Sequence, residues 1–257
     1  TTGNEEEWMN YTFGQYYTLL NAGFPMVPTA GSANGVHPVP AGFSRVYVHQ
    51  PNGFSYEEWL DGLKRGRSFV TTGPMLFAKV NGQLPGTTIT LDRDGGEVTI
   101  NGEVISETPV SFLEIVVNGQ PVLKVRARPK ATPSGAHQIT FSAELPIKTS
   151  GWIAVRCFEE RHGGRLRFAH TGQWTVNVPG KPLRPSPEEK KYLIERVQAE
   201  IHRSEGIVSA EALAEYNAAL SHYQNLATSN PPTPEARAPM HDSELKHWLD
   251  NMVTHHR

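Results

Sequence analysis

The spacing of hydrophobic and polar residues changes twice along this chain of 257 residues. Up to residue 74, apolar residues at helical spacing alternate with short apolar runs that are typical of strands. From 75 to about 180, apolar and polar residues alternate with period two, and turn dipeptides separate the runs. Helical spacing returns from residue 183. We therefore predict three regions, 1–74, 75–182 and 183–257.

The first region opens with a predicted amphipathic helix. Asn4 is a suitable N-cap, and the three glutamates that follow it lie where the helix dipole favours negative charge. Gly23 is a suitable stop. Strands are predicted to follow at 26–30 and at 45–49. The helix is expected to present an aromatic face made of Trp8, Phe13, Tyr16, Tyr17 and Leu20.

A second helix in this region has the clearest start signal of the chain. Ser55 and Glu58 match a capping box, and Phe54 and Trp59 occupy the two positions of a hydrophobic staple. Gly66 is expected to end the helix before the strand in RSFVTTG. Strand, helix and strand in this order imply a parallel unit, so we predict a piece of an α/β sheet or barrel. The side chains predicted to face inward are Trp59, Leu60 and Leu63.

The second region is predicted to be an antiparallel β-sandwich. Asn118-Gly119 between two apolar runs is the strongest short hairpin signal available. Further strands are predicted in EVTING, HQITFSAEL, GWIAVRCFEE and QWTVNV. Ile153, Val155 and Cys157 fall on one face of such a strand. We therefore interpret Cys157 as a small core residue and not as a nucleophile.

The third region is predicted to be a C-terminal helical segment, which follows the proline-rich stretch GKPLRPSP. Ser186, Pro187 and Glu189 supply an N-cap, a first-position proline and a capping-box acid. Ser209 caps a second helix, and the two helices are predicted to form an αα-hairpin packed on the rest. Residues 229–239 are typical of an extended linker.

Charge and composition limit the classes of function. Lys and Arg number 24 and Asp and Glu number 26, so no net field recruits nucleic acid or anionic lipid. No apolar run approaches the roughly 20 residues of a membrane span. The single cysteine excludes an internal disulfide. The first ten residues show no initiator Met and no signal-peptide pattern, which we interpret as a chain cut from a longer one, of unknown compartment.

The stretch TAGSANGVHP, residues 29–38, is a glycine-rich loop after a predicted strand, where α/β barrels hold their ligands. His37 in this loop is the candidate metal ligand, with a hydrogen-bonding or solvated histidine as the alternative. A metal needs three or four converging ligands, and no HxH, HExxH, CxxC or GxSxG motif is present. His49 could converge on the same rim. His162 is interpreted as a hairpin tip and His170 as a structural residue.

Four residues are candidates for a substrate pocket. Ser32 and Asn34 lie in the same loop as His37, and Arg45 begins the strand after it. An arginine there would suit an anionic or carbonyl-bearing substrate, with a structural ion pair as the alternative. Thr71 in the stretch TTGP would line the same barrel mouth as Arg45. Alternatively, this stretch only marks a domain boundary.

Several blocks, taken in order, resemble the CehA/McbA-like metallohydrolases of the PHP (polymerase and histidinol phosphatase) superfamily. They are YYTLLNAGFPMVPTAGSANGV, GFSRVYVH, FSYEEWLDGLKRGRSFVTTGPMLFAKVNGQLPG and FAHTGQWTVNVPGKPL, and they cover roughly residues 11–227. The resemblance implies the C-terminal part of a PHP-type α/β barrel, followed by a β-sandwich and a helical tail. It also implies two or three divalent ions (Zn, Mn or Fe) and a metal-activated water that cleaves esters, carbamates or phosphoesters.

Two departures from the family limit what the resemblance carries over. The family's early metal-binding histidines, including its HxH, would lie before Thr1. The late turn that reads Gly-Ser/Thr-Asp in many relatives has Ala33 in place of the acid. A methyl group cannot ligate a cation, and only Asn34 or His37 could compensate, neither of them at the matched position.

The leading hypothesis is that this chain is the C-terminal portion of a PHP-type metal-dependent hydrolase. We expect the chain alone to be inactive, and it need not bind a metal ion by itself. The complete protein would act on a small molecule, with no nucleic acid or membrane partner. A dimer mate or a missing N-terminal segment would complete the barrel. The alternative is a non-catalytic binding or scaffolding protein. Its β-sandwich would recognise a glycan or a protein through exposed aromatic residues such as Trp174.

Overall fold

The computed structural model describes residues 5–32, 39–126, 129–162 and 165–229, which form a mixed α/β structure with two sheets. Within these ranges there are four helices and twelve strands. The helices are α1 (Glu5–Asn21), α2 (Tyr56–Lys64), α3 (Pro187–Ser204) and α4 (Ala210–Asn225). The strands are β1 (Arg45–Val48), β2 (Ser68–Thr71), β3 (Met75–Val80), β4 (Thr88–Thr90), β5 (Gly96–Ser106), β6 (Phe112–Val117), β7 (Gln120–Arg126), β8 (Lys130–Ala131), β9 (His137–Ile147), β10 (Gly151–Arg161), β11 (Arg165–Thr171) and β12 (Trp174–Asn177).

The larger sheet has eight strands and is centred on β10. The order β1-β2-β11-β10-β12-β4 forms one path, and β6, followed by β7, pairs with the other side of β10. The smaller sheet has the order β3-β5-β9-β8. Every pairing is antiparallel except that of β12 with β4, which is parallel. The predicted antiparallel strand pattern of the second region is therefore present, with this one exception.

The two sheets share one apolar core. Leu76, Val98 and Leu145 from the smaller sheet pack in the same cluster as Ile115 and Ile153 from the larger one. All are almost completely removed from water, which is the dominant favourable term in folding. Alternation along each strand supplies these inward residues, as the period-two pattern predicts.

The predicted hairpin and the predicted core cysteine are both confirmed. Val117 pairs with Gln120, which leaves Asn118 and Gly119 as a two-residue loop. Their φ values of 49° and 85° are the positive pair that a type I′ turn requires. Cys157 is fully buried in the shared core.

The parallel strand–helix–strand unit predicted for the first region is wrong. β1 and β2 pair antiparallel, with Arg45 opposite Thr71 and Val48 opposite Ser68. The ladder continues through a hydrogen bond from His49 N to Arg67 O, so α2 lies within the loop of a hairpin. Periodicity alone does not distinguish such a helix-bearing loop from a crossover. In the described part of the chain the sheets do not close into a barrel.

The strand predicted at 26–30 is also wrong, because this stretch has no regular secondary structure. Pro25 and Pro28 lack the backbone N–H that a strand ladder needs. In this stretch, side chains supply hydrogen bonds to the backbone that a neighbouring strand would otherwise supply. Met26 O accepts hydrogen bonds from Gln173 Nε2 at 2.8 Å and from Tyr16 OH at 3.3 Å.

The predicted start of α2 is correct, and its predicted inward face is correct only in part, since Trp59 and Leu63 are half-buried. Ser55 is the N-cap and its hydroxyl accepts from Glu58 N at 3.4 Å. Leu60 nevertheless remains 44% exposed and Phe54 82% exposed, so the proposed staple residue is open to water. The one buried residue of α2 is Gly62, which approaches Val48 on β1. A short helix that contacts a two-stranded ribbon buries little surface.

α1, in contrast, packs firmly across the outer face of the larger sheet. Phe13, Tyr17 and Leu20 join Trp152 and Phe158 of β10 in a second apolar cluster. The predicted N-cap Asn4 and the side chain of Trp8 lie outside the described residues. For the rest of the predicted aromatic face, the structure confirms burial or partial burial against this sheet.

The predicted αα-hairpin is confirmed. Ser186 and Glu189 form the reciprocal capping box of α3, with Pro187 at its first position, and Ser209 caps α4. Glu189 also accepts a hydrogen bond from Asn21 Nδ2 at 2.7 Å, which ties α3 to the end of α1. Leu193 is buried beneath the hairpin.

The predicted division at residue 74 falls between β2 and β3, where the chain passes from the larger sheet to the smaller one. β1 and β2 nevertheless share a sheet with β10–β12. The division into three domains stays a prediction. Among the described helices, none is both long and apolar enough to span a membrane.

Candidate functional site

A cavity of about 600 Å³ lies beside β3, where the β1–β2 ribbon meets the smaller sheet. Its walls are mainly apolar, and a few polar side chains stand among them. The residues around it are Tyr47, Val48, His49, Gln50, Arg67, Ser68, Phe69, Met75, Leu76, Phe77, Ala78, Lys79, Leu84, Pro85, Asn101, Gly102, Glu103, Thr140 and Thr171.

Three aromatic rings form one wall of this cavity. Tyr47 on β1 and Phe69 on β2 are register partners, and their rings stack with centroids 5.2 Å apart. Phe77 on β3 meets Phe69 edge to face at 5.7 Å. Phe77 keeps 43% of its surface exposed, although the other two rings are largely covered. A flat apolar ligand therefore has a preformed surface to stack against.

Strand β3 places Phe77 on the cavity side by simple alternation. Leu76, Ala78 and Val80 point into the shared core, so Phe77 and Lys79 project to the other face. β3 has β5 as its strand neighbour and forms the edge of the smaller sheet. The cavity runs along this edge.

Gly102 on β5 permits the close contact between β5 and β3 at this point. A Cβ atom there would lie 2.1 Å from the carbonyl oxygen of Phe77 and 2.9 Å from the Cα of Ala78. Backbone atoms cannot yield to such a clash. Gly102 therefore allows β5 to lie this close to the backbone of β3 at Phe77.

Charged groups stand at the rim of the cavity. Glu103 pairs in register with Phe77, and its Oε2 accepts a hydrogen bond from Gln138 Nε2 at 2.7 Å. Arg67 reaches Asp61 on α2 at 3.4 Å. His49 also lines this cavity, and its convergence with His37 stays a prediction because His37 lies outside the described residues.

Those predicted pocket residues that the structure describes lie outside this cavity. Ser32 Oγ accepts a hydrogen bond from Ser44 N at 3.3 Å, next to the start of β1. Arg45 donates from Nε to Gly42 O at 2.5 Å and from Nη1 to Tyr47 OH at 3.2 Å. Neither Ser32 nor Arg45 lines the cavity beside β3. Arg45 stands next to it, since Tyr47 belongs to the aromatic wall.

Thr71 is buried and bonded within its own turn. Its Oγ1 donates to Pro74 O at 2.6 Å and accepts from Gly73 N at 2.9 Å. Thr71 and Arg45 are register partners on β2 and β1, so the structure does bring these two predicted residues together. Asn34, His37 and the substituted position Ala33 lie outside the described residues.

Trp174, the expected exposed aromatic residue of the sandwich, is fully buried. It belongs to the shared core, and its indole Nε1 donates to Gln83 O at 2.9 Å. The expectation of an exposed ring is therefore wrong, because β12 is an internal strand between β10 and β4. The hypothesis of a glycan- or protein-binding sandwich loses the residue that illustrated it.

A buried polar network lies under α1 and meets the cavity at Thr171. The carbonyl of Thr171 must accept from His170 Nδ1 at 2.6 Å, so His170 Nε2 accepts from Tyr17 OH at 2.8 Å. Arg156 Nη1 donates to Tyr17 OH at 3.3 Å and pairs with Glu114 at 2.7 Å. This confirms the structural interpretation of His170.

Burial dominates the protonation of this network. It lowers the pKa of His170 to about 4, since the imidazolium would be held away from water, and Arg156 opposes that charge further. Burial also raises the pKa of Tyr17 to about 12. His170 is therefore neutral at neutral pH and serves as a hydrogen-bond junction between α1 and β11.

Among the described residues, no group of three or more His, Cys, Asp and Glu side chains is placed to hold a metal ion. Phe77, Lys79 and Glu103 are among the lining residues that the sequence did not single out. Their signal was the alternation of large and charged residues in MLFAKV beside a second alternating strand, which marks an exposed face. Compared with models of known protein families and with curated proteins, the chain shows no significant match.

Proposed function

We propose that this chain is the C-terminal portion of a PHP-type metal-dependent hydrolase of ester, carbamate or phosphoester bonds, and that the cavity beside β3 holds the apolar part of its substrate. The cavity carries this proposal. Small-molecule sites are typically concave, mostly apolar and fitted with a few polar groups. The wall of Tyr47, Phe69 and Phe77 with charged residues at its rim has this form.

The role of the described residues is to bind and orient the substrate. Stacking against Phe77 would fix the plane of an aromatic group, and the rim would hold its polar end. A divalent ion (Zn, Mn or Fe), when bound, would supply an activated water. The described residues offer no donor set for it, and His37, outside them, remains the candidate ligand on this chain.

Calorimetric titration with 1-naphthyl acetate tests the binding part of the proposal. We expect saturable binding that weakens about tenfold in Phe77→Ala, since loss of a stacked ring removes substantial apolar contact. Phe54→Ala is the matched control, because Phe54 is 82% exposed and lies outside the cavity. Equal affinity of the two variants, or no saturable binding by the parent chain, would overturn the proposal.

Release of 1-naphthol tests the catalytic part. We expect no turnover by this chain alone when Zn²⁺ or Mn²⁺ is added, because the acid of the late turn is replaced by Ala33. Turnover that a chelator abolishes would contradict inactivity of the isolated chain. Elemental analysis of the chain and of His37→Ala separately measures whether His37 retains a metal ion.

A further inference from the structure

We infer that the cavity beside β3 selects aromatic ligands that carry one negative charge, and that Lys79 is the residue that recognises the charge. This inference rests on the proposed function, because it concerns the same cavity. It goes beyond it by naming the class of ligand. The inference rests on Phe77 of the aromatic wall and Lys79, a lysine without a side-chain partner, which stand on the same strand.

Phe77 and Lys79 occupy alternate positions of β3 and project to the same face. Two residues along a strand are separated by about 6.6 Å, which is close to the length of a bicyclic aromatic ring system. A ring stacked on Phe77 therefore places a substituent at its end within reach of the Lys79 ammonium. Both residues line the cavity.

Among the lysine, arginine and glutamate residues that line the cavity, Lys79 is the one without a side-chain partner in the described part of the chain. Arg67 is directed to Asp61 on α2, and Glu103 is hydrogen-bonded by Gln138. Lys79 is exposed, and its register partner on β5 is the neutral Asn101. A lysine that projects from the end of an apolar wall binds an anion as a mobile point charge.

Glu103 limits where the anionic group of a ligand can lie. Its carboxylate stands across from Phe77 on the neighbouring strand, so an anion over the middle of the ring would be repelled. An anion displaced toward Lys79 moves away from Glu103 along the strand direction. Lys79 and Glu103 together therefore select the sign of the charge on an aromatic ligand and also the orientation in which it binds.

Two ligands of nearly equal size provide the test, naphthalene-1-carboxylate and the neutral 1-naphthalenemethanol. We expect the unsubstituted chain to bind the carboxylate more tightly, and Lys79→Gln to weaken carboxylate binding about fivefold, the upper range for an exposed ion pair. Binding of the alcohol should not change. Lys64→Gln is the matched control, since Lys64 is an exposed lysine on α2 outside the cavity.

The outcomes separate this inference from the proposed function. If both ligands bind equally and Lys79→Gln changes neither, charge selection is overturned while the apolar site stands. If neither ligand binds, both proposals are overturned. Glu103→Gln should strengthen carboxylate binding about twofold, and weaker binding in that variant would contradict the orientation argued above.

Discussion

The two helices of the first region, α1 and α2, differ sharply in how they are held. α1 inserts Phe13, Tyr17 and Leu20 into a cluster on the larger sheet and is fastened by the His170 hydrogen bond. α2 has the stronger start signal in its sequence, yet it leaves Leu60 exposed. Capping residues thus specify where a helix begins, whereas the surface offered by the rest of the chain decides how much of it is buried.

The largest effect should come from Tyr17→Ala on α1. The change removes a ring packed against Phe13 and Trp152 and leaves Nε2 of His170 without its donor. We expect a loss of about 4 kcal/mol in the free energy of unfolding, measured in urea. Tyr11→Ala, the same change at a 53% exposed position of α1, should cost less than about 0.5 kcal/mol. Equal effects at the two positions would refute the anchoring of α1.

Acid should loosen α1 through His170. Its folded pKa of about 4 lies below the usual value of 6.5, so the unfolded chain binds the proton more readily. The stabilisation is complete above pH 6.5 and is lost as the pH falls toward 4, by about 3 kcal/mol in all. The groups that face the imidazole are Tyr16, Tyr17 and Arg156.

Urea unfolding at several pH values checks this prediction. His170→Gln should flatten the part of the stability profile between pH 6.5 and 4, and the carboxylates that titrate below pH 5 remain in both proteins as an internal control. A parent and a variant with the same slope in this interval would contradict the assignment.

Replacing one glycine in each helix by alanine should change the stability of the protein in opposite directions. At Gly62 of α2 a Cβ would lie 2.5 Å from Val48 Cγ1, and the short branched side chain of valine cannot move away freely. We expect Gly62→Ala to destabilise by about 1 kcal/mol. Gly14 of α1 has open space around it, and Gly14→Ala should stabilise by about 0.5–1 kcal/mol through helix propensity. Thermal unfolding of both variants measures the difference.

The smallest effect should come from Leu60→Ala on α2. Because Leu60 is mostly in water already, we expect a change of less than about 0.5 kcal/mol in unfolding free energy. Leu20→Ala, the same substitution in the buried face of α1, should cost about 2–4 kcal/mol. A large loss at Leu60 would mean that another surface covers α2 in solution.

Local signals in the sequence predicted much of the fold, because they act over a few residues. Asn118-Gly119 specifies its turn through backbone sterics, and Ser186 with Glu189 specifies a helix start through two hydrogen bonds. The place of the β1–β2 hairpin in the larger sheet is set instead by the pairing of β2 with β11, which lies about 100 residues later. The burial of Trp174 is likewise set by strand order, which periodicity does not encode.

The candidate site was harder to predict for the same reason. The cavity exists because residues 47–50, 67–69, 75–79 and 101–103 meet in space, and no single segment contains a motif for it. Thr71 and Arg45 do lie opposite each other, but the Thr71 hydroxyl completes a turn with Pro74, and the role of both residues in a substrate pocket stays a prediction. Phe77 and Lys79 could have been singled out from the exposed face of an alternating strand.

Cys157 allows the opening of the protein core to be measured by thiol labelling. Burial raises the pKa of this thiol to about 12, and the thiolate is the form that reacts with alkylating reagents. It is the one cysteine among 257 residues, at the centre of β10. Labelling therefore requires an opening of the sheet core, and at reagent concentrations where alkylation outpaces reclosing, the rate of label incorporation, followed by mass spectrometry, gives the opening rate of the core without any engineered probe.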